Sequence, residues 1–112
     1  MKSKHRSNQE KIPMLTPNET LILRLLIGAG TMYGLELVEN SKGRLKRGTI
    51  YVTLNRMEEK GYIESEQEAE PPITGGLPRR FYRVTGHGTR VLKAWEVMRS
   101  IIVGSAVTRY AR

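Results

Sequence analysis

The stretch from Lys46 to Tyr62, KRGTIYVTLNRMEEKGY, constrains this chain more than any other part of it. Ile50, Leu54 and Met57 recur at i, i+4 and i+7, one apolar stripe of a helix with about 3.6 residues per turn. Thr49, Thr53, Arg56 and Lys60 fall opposite that stripe, with Lys46, Arg47 and Asn55 near them. The opposite face is polar and mildly cationic. Its hydroxyl, amide and guanidinium groups suit phosphates and base edges, and a major groove is wide enough to admit a helix. Gly61 supplies the stop expected at a helix C-terminus. Taken alone, the stretch reads equally as a solvated amphipathic helix, and the rest of the chain has to decide.

Composition narrows the choice. The 112 residues suffice for one domain with a modest core. Lys and Arg number 19 against 11 acids, all of them Glu, for a net charge of +8. That excess favours a polyanionic partner, although it concerns association rather than fold. With no Cys there is no disulfide framework and no thiolate chemistry, which fits a reducing cytoplasm. No apolar run approaches the roughly 18 residues of a membrane span, and the N-terminus has no apolar signal core. An enzyme is not expected: His5 and His87 stand apart, and no metal-ligand spacing or phosphate-binding glycine loop occurs. No cofactor and no metal site is expected either.

In chain order, residues 1–15 carry Lys2, Lys4, Arg6 and Lys11 without apolar periodicity, which predicts a flexible basic arm. Thr16-Pro17-Asn18-Glu19 spells a capping box with Pro at the first helical position, and Leu21, Ile22, Leu25 and Leu26 continue as its buried stripe up to Gly28-Ala29-Gly30. A second helix is predicted over about Tyr33 to Ser41, with Leu35, Leu37 and Val38 inward and Gly34 permitting close approach of another backbone. Four cations crowd the link from Lys42 to Arg47, where they oppose the dipole of the next helix and where a phosphate would compensate them. Tyr62 to Glu70 alternates with a period of two, which predicts a strand whose Glu64, Glu66, Glu68 and Glu70 face solvent and point away from any DNA. Pro71 to Pro78 punctuates a hairpin loop, and Arg79 to Val84 returns as a second strand with Arg79 and Arg80 near its tip.

Three helices and a basic-tipped hairpin match the order of a winged helix-turn-helix. Thr85 then caps a last helix with Val91, Leu92, Trp95, Met98 and Ile102 at three- and four-residue spacing. That helix carries more apolar surface than a small domain covers, and a partner chain is the simplest cover. Trp95 packing within its own subunit is the simpler alternative. The fold class is therefore mainly α with a small β-hairpin, divided into an arm (1–15), a winged helix-turn-helix (16–85) and a C-terminal dimerisation helix with its tail (86–112).

The chain resembles the PadR (phenolic-acid-repressor-like) family of winged-helix transcription regulators. The matching residues are Tyr33-Gly34-Leu-Glu-Leu, Gly48-Thr-Ile-Tyr51 running to Leu54-Asn-Arg-Met-Glu-Glu-Lys-Gly-Tyr-Ile63, and Gly76-Leu-Pro-Arg-Arg-Phe-Tyr-Arg-Val-Thr85 with Gly88 after it. The ordered set spans about Thr16 to Met98. It implies a homodimer joined through the last helix and binding an inverted-repeat operator in double-stranded DNA, usually as a repressor. Carried onto this sequence, Lys46, Arg47, Thr49, Tyr51, Thr53 and Arg56 would face DNA, and Arg79 and Arg80 would grip phosphates from the wing. Leu92, Trp95, Met98 and Ile102 would form the dimer contact. Lys46-Arg47 stands where many relatives have Ser-Pro, and the single last helix places the chain with the short members. Some short members bind planar aromatics between paired last helices; Trp95 is the candidate here, about one turn nearer the helix start than expected. Two other readings stay open. A winged-helix protein-interaction module would use the basic face on an acidic protein, and a small-molecule sensor would bind DNA only secondarily.

Overall fold

The computed structural model describes residues 14–69 and 78–111, with side chains as far as residue 104. Nearly all of the predicted arm and hairpin loop therefore lies outside the described residues, as does Glu70. The elements run α1 (Pro17–Ala29), β1 (Met32–Tyr33), α2 (Gly34–Asn40), α3 (Ile50–Glu59), β2 (Ile63–Gln67), β3 (Arg80–Val84) and α4 (Gly86–Ala111).

α1 starts where its capping box requires. The Thr16 hydroxyl accepts from the Glu19 N–H at 3.1 Å, and the Glu19 carboxylate accepts from the Thr16 N–H at 2.9 Å. Glu19 is only 4% exposed, and its second oxygen takes Lys60 Nζ at 2.9 Å. A buried carboxylate needs a counter-charge, and Lys60, itself still exposed as expected, turns its ammonium inward to supply one. The pair ties the start of α1 to the end of α3. Ile22, Leu23 and Leu26 are fully buried, so Leu23 joins the core, while Leu21 and Leu25 pack at its margin. Gly30 ends the helix with φ of 92°.

α2 has 7 residues, held at its start by Glu36, whose carboxylate accepts from the Tyr33 N–H at 3.0 Å. Leu37 is buried and Val38 packs beside it, but Leu35 is exposed. Two positions along a helix turn the side chain by about 200°, so burial of Leu37 turns Leu35 outward. In the turn after α2, the Ser41 hydroxyl donates to the Val38 carbonyl at 2.7 Å and accepts from the buried Leu45 N–H at 2.9 Å. That bridge draws Leu45 into the core.

α3 begins at Ile50 rather than at Lys46; residues 47–49 form a turn that leads into it. Ile50, Leu54 and Met57 are all buried, as their spacing predicted. Its end is a Schellman motif: the Gly61 N–H bonds the Glu58 carbonyl and the Tyr62 N–H bonds the Met57 carbonyl, each at 3.0 Å, with Gly61 at φ 80°.

The sheet is antiparallel in the order β1-β3-β2. β2 and β3 pair from Ile63 opposite Val84 to Gln67 opposite Arg80, so β2 is shorter than its alternating sequence. β1 adds Met32 opposite Tyr82 and Tyr33 opposite Phe81. Two residues carry no readable periodicity, so this strand is absent from the sequence-based expectation. Tyr82 points inward to the core with Ile63, and burial raises its hydroxyl pKa above the ordinary value.

α4 opens as predicted, with the Thr85 hydroxyl accepting from the Gly88 N–H at 2.9 Å. That hydroxyl donates to the Gly61 carbonyl at 2.6 Å, and the Thr85 N–H bonds the Tyr62 carbonyl at 3.0 Å. Val91 and Leu92 then enter the core. The helix runs for 26 residues, past Gly104 where the sequence pattern fades. Among the described residues no helix is long and apolar enough to cross a membrane.

Candidate nucleic-acid interface

The outward side of α3 differs in detail from the sequence expectation. Tyr51, Val52, Asn55, Arg56 and Glu59 are exposed, so the accessible face centres on Val52, Asn55 and Arg56. Thr53 is half-covered, and its hydroxyl leans on the Thr49 carbonyl at 3.3 Å. Val52, 52% exposed and absent from the expected set, offers an apolar surface on this face. The spacing of Ile50, Leu54 and Met57 implies that position 52 lies opposite the stripe, but an apolar residue there gives no polar signal of binding. Lys46, Arg47 and Thr49 lie in the turn before the helix rather than along it. Thr49 occupies the N-cap position without a side-chain capping bond, and the first turn holds no acid. The amide-rich end of α3 thus faces outward beside two cations. Among the described residues Lys46, Arg47 and Arg56 form no ion pair.

Tyr51 is 45% exposed, with its ring laid over the Cα of Gly34. A Cβ at Gly34 would stand 2.6 Å from the ring. The close approach that this glycine permits is therefore by an aromatic side chain and not, as expected, by backbone.

The wing separates the two arginines that their shared charge groups in the sequence. Neighbouring residues on a strand point to opposite faces, and the ladder continues to Arg79, whose carbonyl accepts from the Glu68 N–H at 2.7 Å. Arg80 reaches Ser65 Oγ at 3.0 Å and Gln67 Oε1 at 3.3 Å, both neutral, with Glu58 behind Ser65 at 2.7 Å. Arg79 turns to the other face. Its Nε and Nη2 donate to Glu68 at 3.0 and 2.9 Å, and its Nη1 donates to the Tyr33 hydroxyl at 2.8 Å. The guanidinium carbon lies 4.5 Å from the Tyr33 ring centroid, and that ring meets Phe81 edge-on at 5.1 Å. The bond to Glu68 raises the Arg79 pKa further above its already high ordinary value. Arg83 is held likewise by Glu64 at 2.9 Å, with Glu66 at 3.5 Å. The Glu64 and Glu66 side chains do face solvent, as expected, but the acidic row is answered by arginines from the neighbouring strand.

A groove of about 690 Å³ runs between α2, the start of α3 and the wing, walled by Tyr33, Glu36, Glu39, Tyr51, Arg79 and Arg80. A second hollow of about 490 Å³ lies where α1 meets α4, with Trp95 and Leu21 as apolar walls and Arg24, Arg44 and Arg99 around it. Arg24 pairs with Glu96 at 2.8 Å.

The expected dimer residues divide. Leu92, 5% exposed, is buried in its own chain's core, so in this fold it has no surface for a partner. Trp95 is half-buried against the same core. Met98 and Ile102 remain accessible, and Val97 and Ile101 join them: Val97, Met98 and Ile101 line one apolar hollow, with Ile102 61% exposed beyond it.

A three-helix body carrying a hairpin wing defines a winged helix-turn-helix, a DNA-binding architecture. The profile of the transcriptional regulator PadR-like family matches residues 22–94, and the chain belongs to that family, whose members regulate transcription and are not enzymes. A PadR family transcription regulator from Clostridium difficile R20291 superposes with a TM-score of 0.68 at 26% identity, covering 87% of this chain and 100% of that one. A PadR family regulator from Eggerthella lenta DSM 2243 gives 0.62 at 29% identity, over 80% of this chain and 73% of the other. An uncharacterized protein of Lysinibacillus sphaericus is 28% identical over 94 residues, covering 75% of this chain and 83% of its own.

Proposed function

We propose that this regulator is a repressor that binds an inverted-repeat operator as a homodimer joined through α4. The observation that carries the reading is the outward face of α3, where among the described residues Arg56 pairs with no acid and stands on a helix whose end is anchored by the Lys60–Glu19 pair and the Gly61 turn. Lys46, Arg47 and Arg80 supply phosphate contacts. Arg56 and Asn55 read base edges, Val52 meets a thymine methyl, and Tyr51, Thr49 and Thr53 border the reading face. The apolar residues Val97, Met98, Ile101 and Ile102 support a second copy as the partner. Two recognition helices would then meet half-sites about 34–36 Å apart.

The test is selection of bound duplexes from a random library at near-physiological salt. The expected outcome is an enriched inverted repeat, with Arg56→Ala relaxing one position in each half-site by about 1–3 kcal/mol. Binding without enrichment would leave only a cationic surface and favour a protein-interaction module.

One observation favours an effector as well. The hollow beside Trp95 joins an aromatic wall to three arginines, which suits an aromatic carboxylate. Quenching of Trp95, the only tryptophan, on titration with such compounds checks it. This location, between α1 and α4 of one chain, differs from the expected seat between paired last helices.

A further inference from the structure

The wing face that bears Glu64, Glu66 and Glu68 is not simply acidic, because each of these carboxylates is matched to an arginine of the returning strand. The three pairs are unequal. The Glu68 side chain is 17% exposed, against 53% for Glu64 and 72% for Glu66, so salt and water screen its pair least. Its partner Arg79 also borders the groove beside Tyr51 and Arg80, whereas Arg83 does not.

We propose that Glu68 is an internal counter-ion that withholds Arg79 from DNA phosphate and so limits the protein's hold on duplexes of any sequence, an inference that rests on the DNA-binding reading above. All three guanidinium nitrogens of Arg79 already have partners: Nε and Nη2 in Glu68, and Nη1 in Tyr33. Glu68 occupies the two-pronged Nε–Nη2 edge, so a phosphate gains that edge only by displacing a carboxylate of the same charge. Tyr33, set edge-on against Phe81, keeps the guanidinium in place whichever anion occupies it. Glu36 and Glu39, on the facing wall of the groove, add to the field of Glu68. The wing therefore offers DNA one arginine, Arg80, and holds a second in reserve.

The test is the salt dependence of affinity for a duplex without the operator, read by fluorescence anisotropy from about 50 to about 200 mM salt. Each phosphate contact contributes about 0.9 to the slope of log K against log salt. Glu68→Gln is expected to tighten binding at low salt and steepen that slope by about 0.9, an extra loss of about threefold over the fourfold rise in salt. Arg79→Gln in the otherwise unchanged protein is expected to leave the slope as it was, and Arg79→Gln added to Glu68→Gln is expected to cancel the gain. Thermal unfolding of each variant checks that the wing is retained. An unchanged or flatter slope for folded Glu68→Gln overturns the inference. So does a flattening of about 0.9 for Arg79→Gln alone, which would mean that Arg79 already holds a phosphate. A wild-type protein with no duplex binding at all would instead overturn the reading beneath it.

Discussion

A methyl group added at Gly34 would strike the ring of Tyr51, and its effect depends on the freedom of that ring to move. The ring belongs to a half-exposed side chain on the reading side of α3, so it swings outward instead of straining the backbone. Gly34→Ala is therefore expected to alter melting by less than about 1 kcal/mol, because alanine is also the better helix residue. Duplex affinity is expected to fall, because the displaced ring covers ground beside Arg56. Parallel melting and anisotropy measurements separate the two effects. A large fall in stability with binding intact would mean that the ring serves the fold. The wing arginines teach a related lesson at the same scale. Strand alternation alone puts residues 79 and 80 on opposite faces. Their separation was legible in the sequence, but grouping them by charge concealed it.

At the scale of elements, the joint between α3 and α4 is closely packed at Gly88. A Cβ at Gly88 would overlap the Tyr62 carbonyl oxygen and crowd Tyr62 C and Val84 Cγ2, at 2.9 and 3.0 Å. Two of these atoms are backbone, held by the Schellman turn and by the hydrogen bonds of Thr85, so they do not yield as Tyr51 does. Gly88→Ala is expected to cost at least about 2 kcal/mol, and melting to fall by about 10 °C, measured by thermal unfolding. The features read correctly from sequence are the local ones: the Thr16–Glu19 box, the Thr85 cap, the Gly61 stop and the stripe of Ile50, Leu54 and Met57. Two of the misreadings needed distant partners: β1 exists because β3 offers it an edge, and the Lys60 ammonium turns because Glu19 is buried. Leu35, by contrast, faces out because Leu37, two positions on, takes the core.

For the whole molecule, a formal charge of +8 says less than its distribution. Arg24, Lys60, Arg79 and Arg83 are matched by acids of the same chain; among the described residues the unmatched cations include Lys46, Arg47, Arg56 and Arg80 on the α3 side and the wing, with Arg90, Lys93 and Arg99 along α4. At the other end of the molecule, Val97, Ile101 and Ile102 expose half or more of their surface. If a second copy covers them, Ile101→Glu sets an unpaired carboxylate in an apolar interface. The expected outcome is a monomer by light scattering, with weakened binding to a two-half-site operator and the same melting behaviour at high dilution. Ile101→Glu that remains dimeric would place the interface elsewhere.

The junction at Gly61, Tyr62 and Thr85 has a mechanical meaning. It joins the end of α3 to the root of α4 through Thr85 and its hydrogen bonds to the Gly61 and Tyr62 carbonyls, with no slack between them. Such a corner works as a rigid bracket. In a dimer built on α4, a small change in the angle between the two long helices swings each bracket and with it each α3, so the reach between half-sites tracks the pose of helices that never touch DNA.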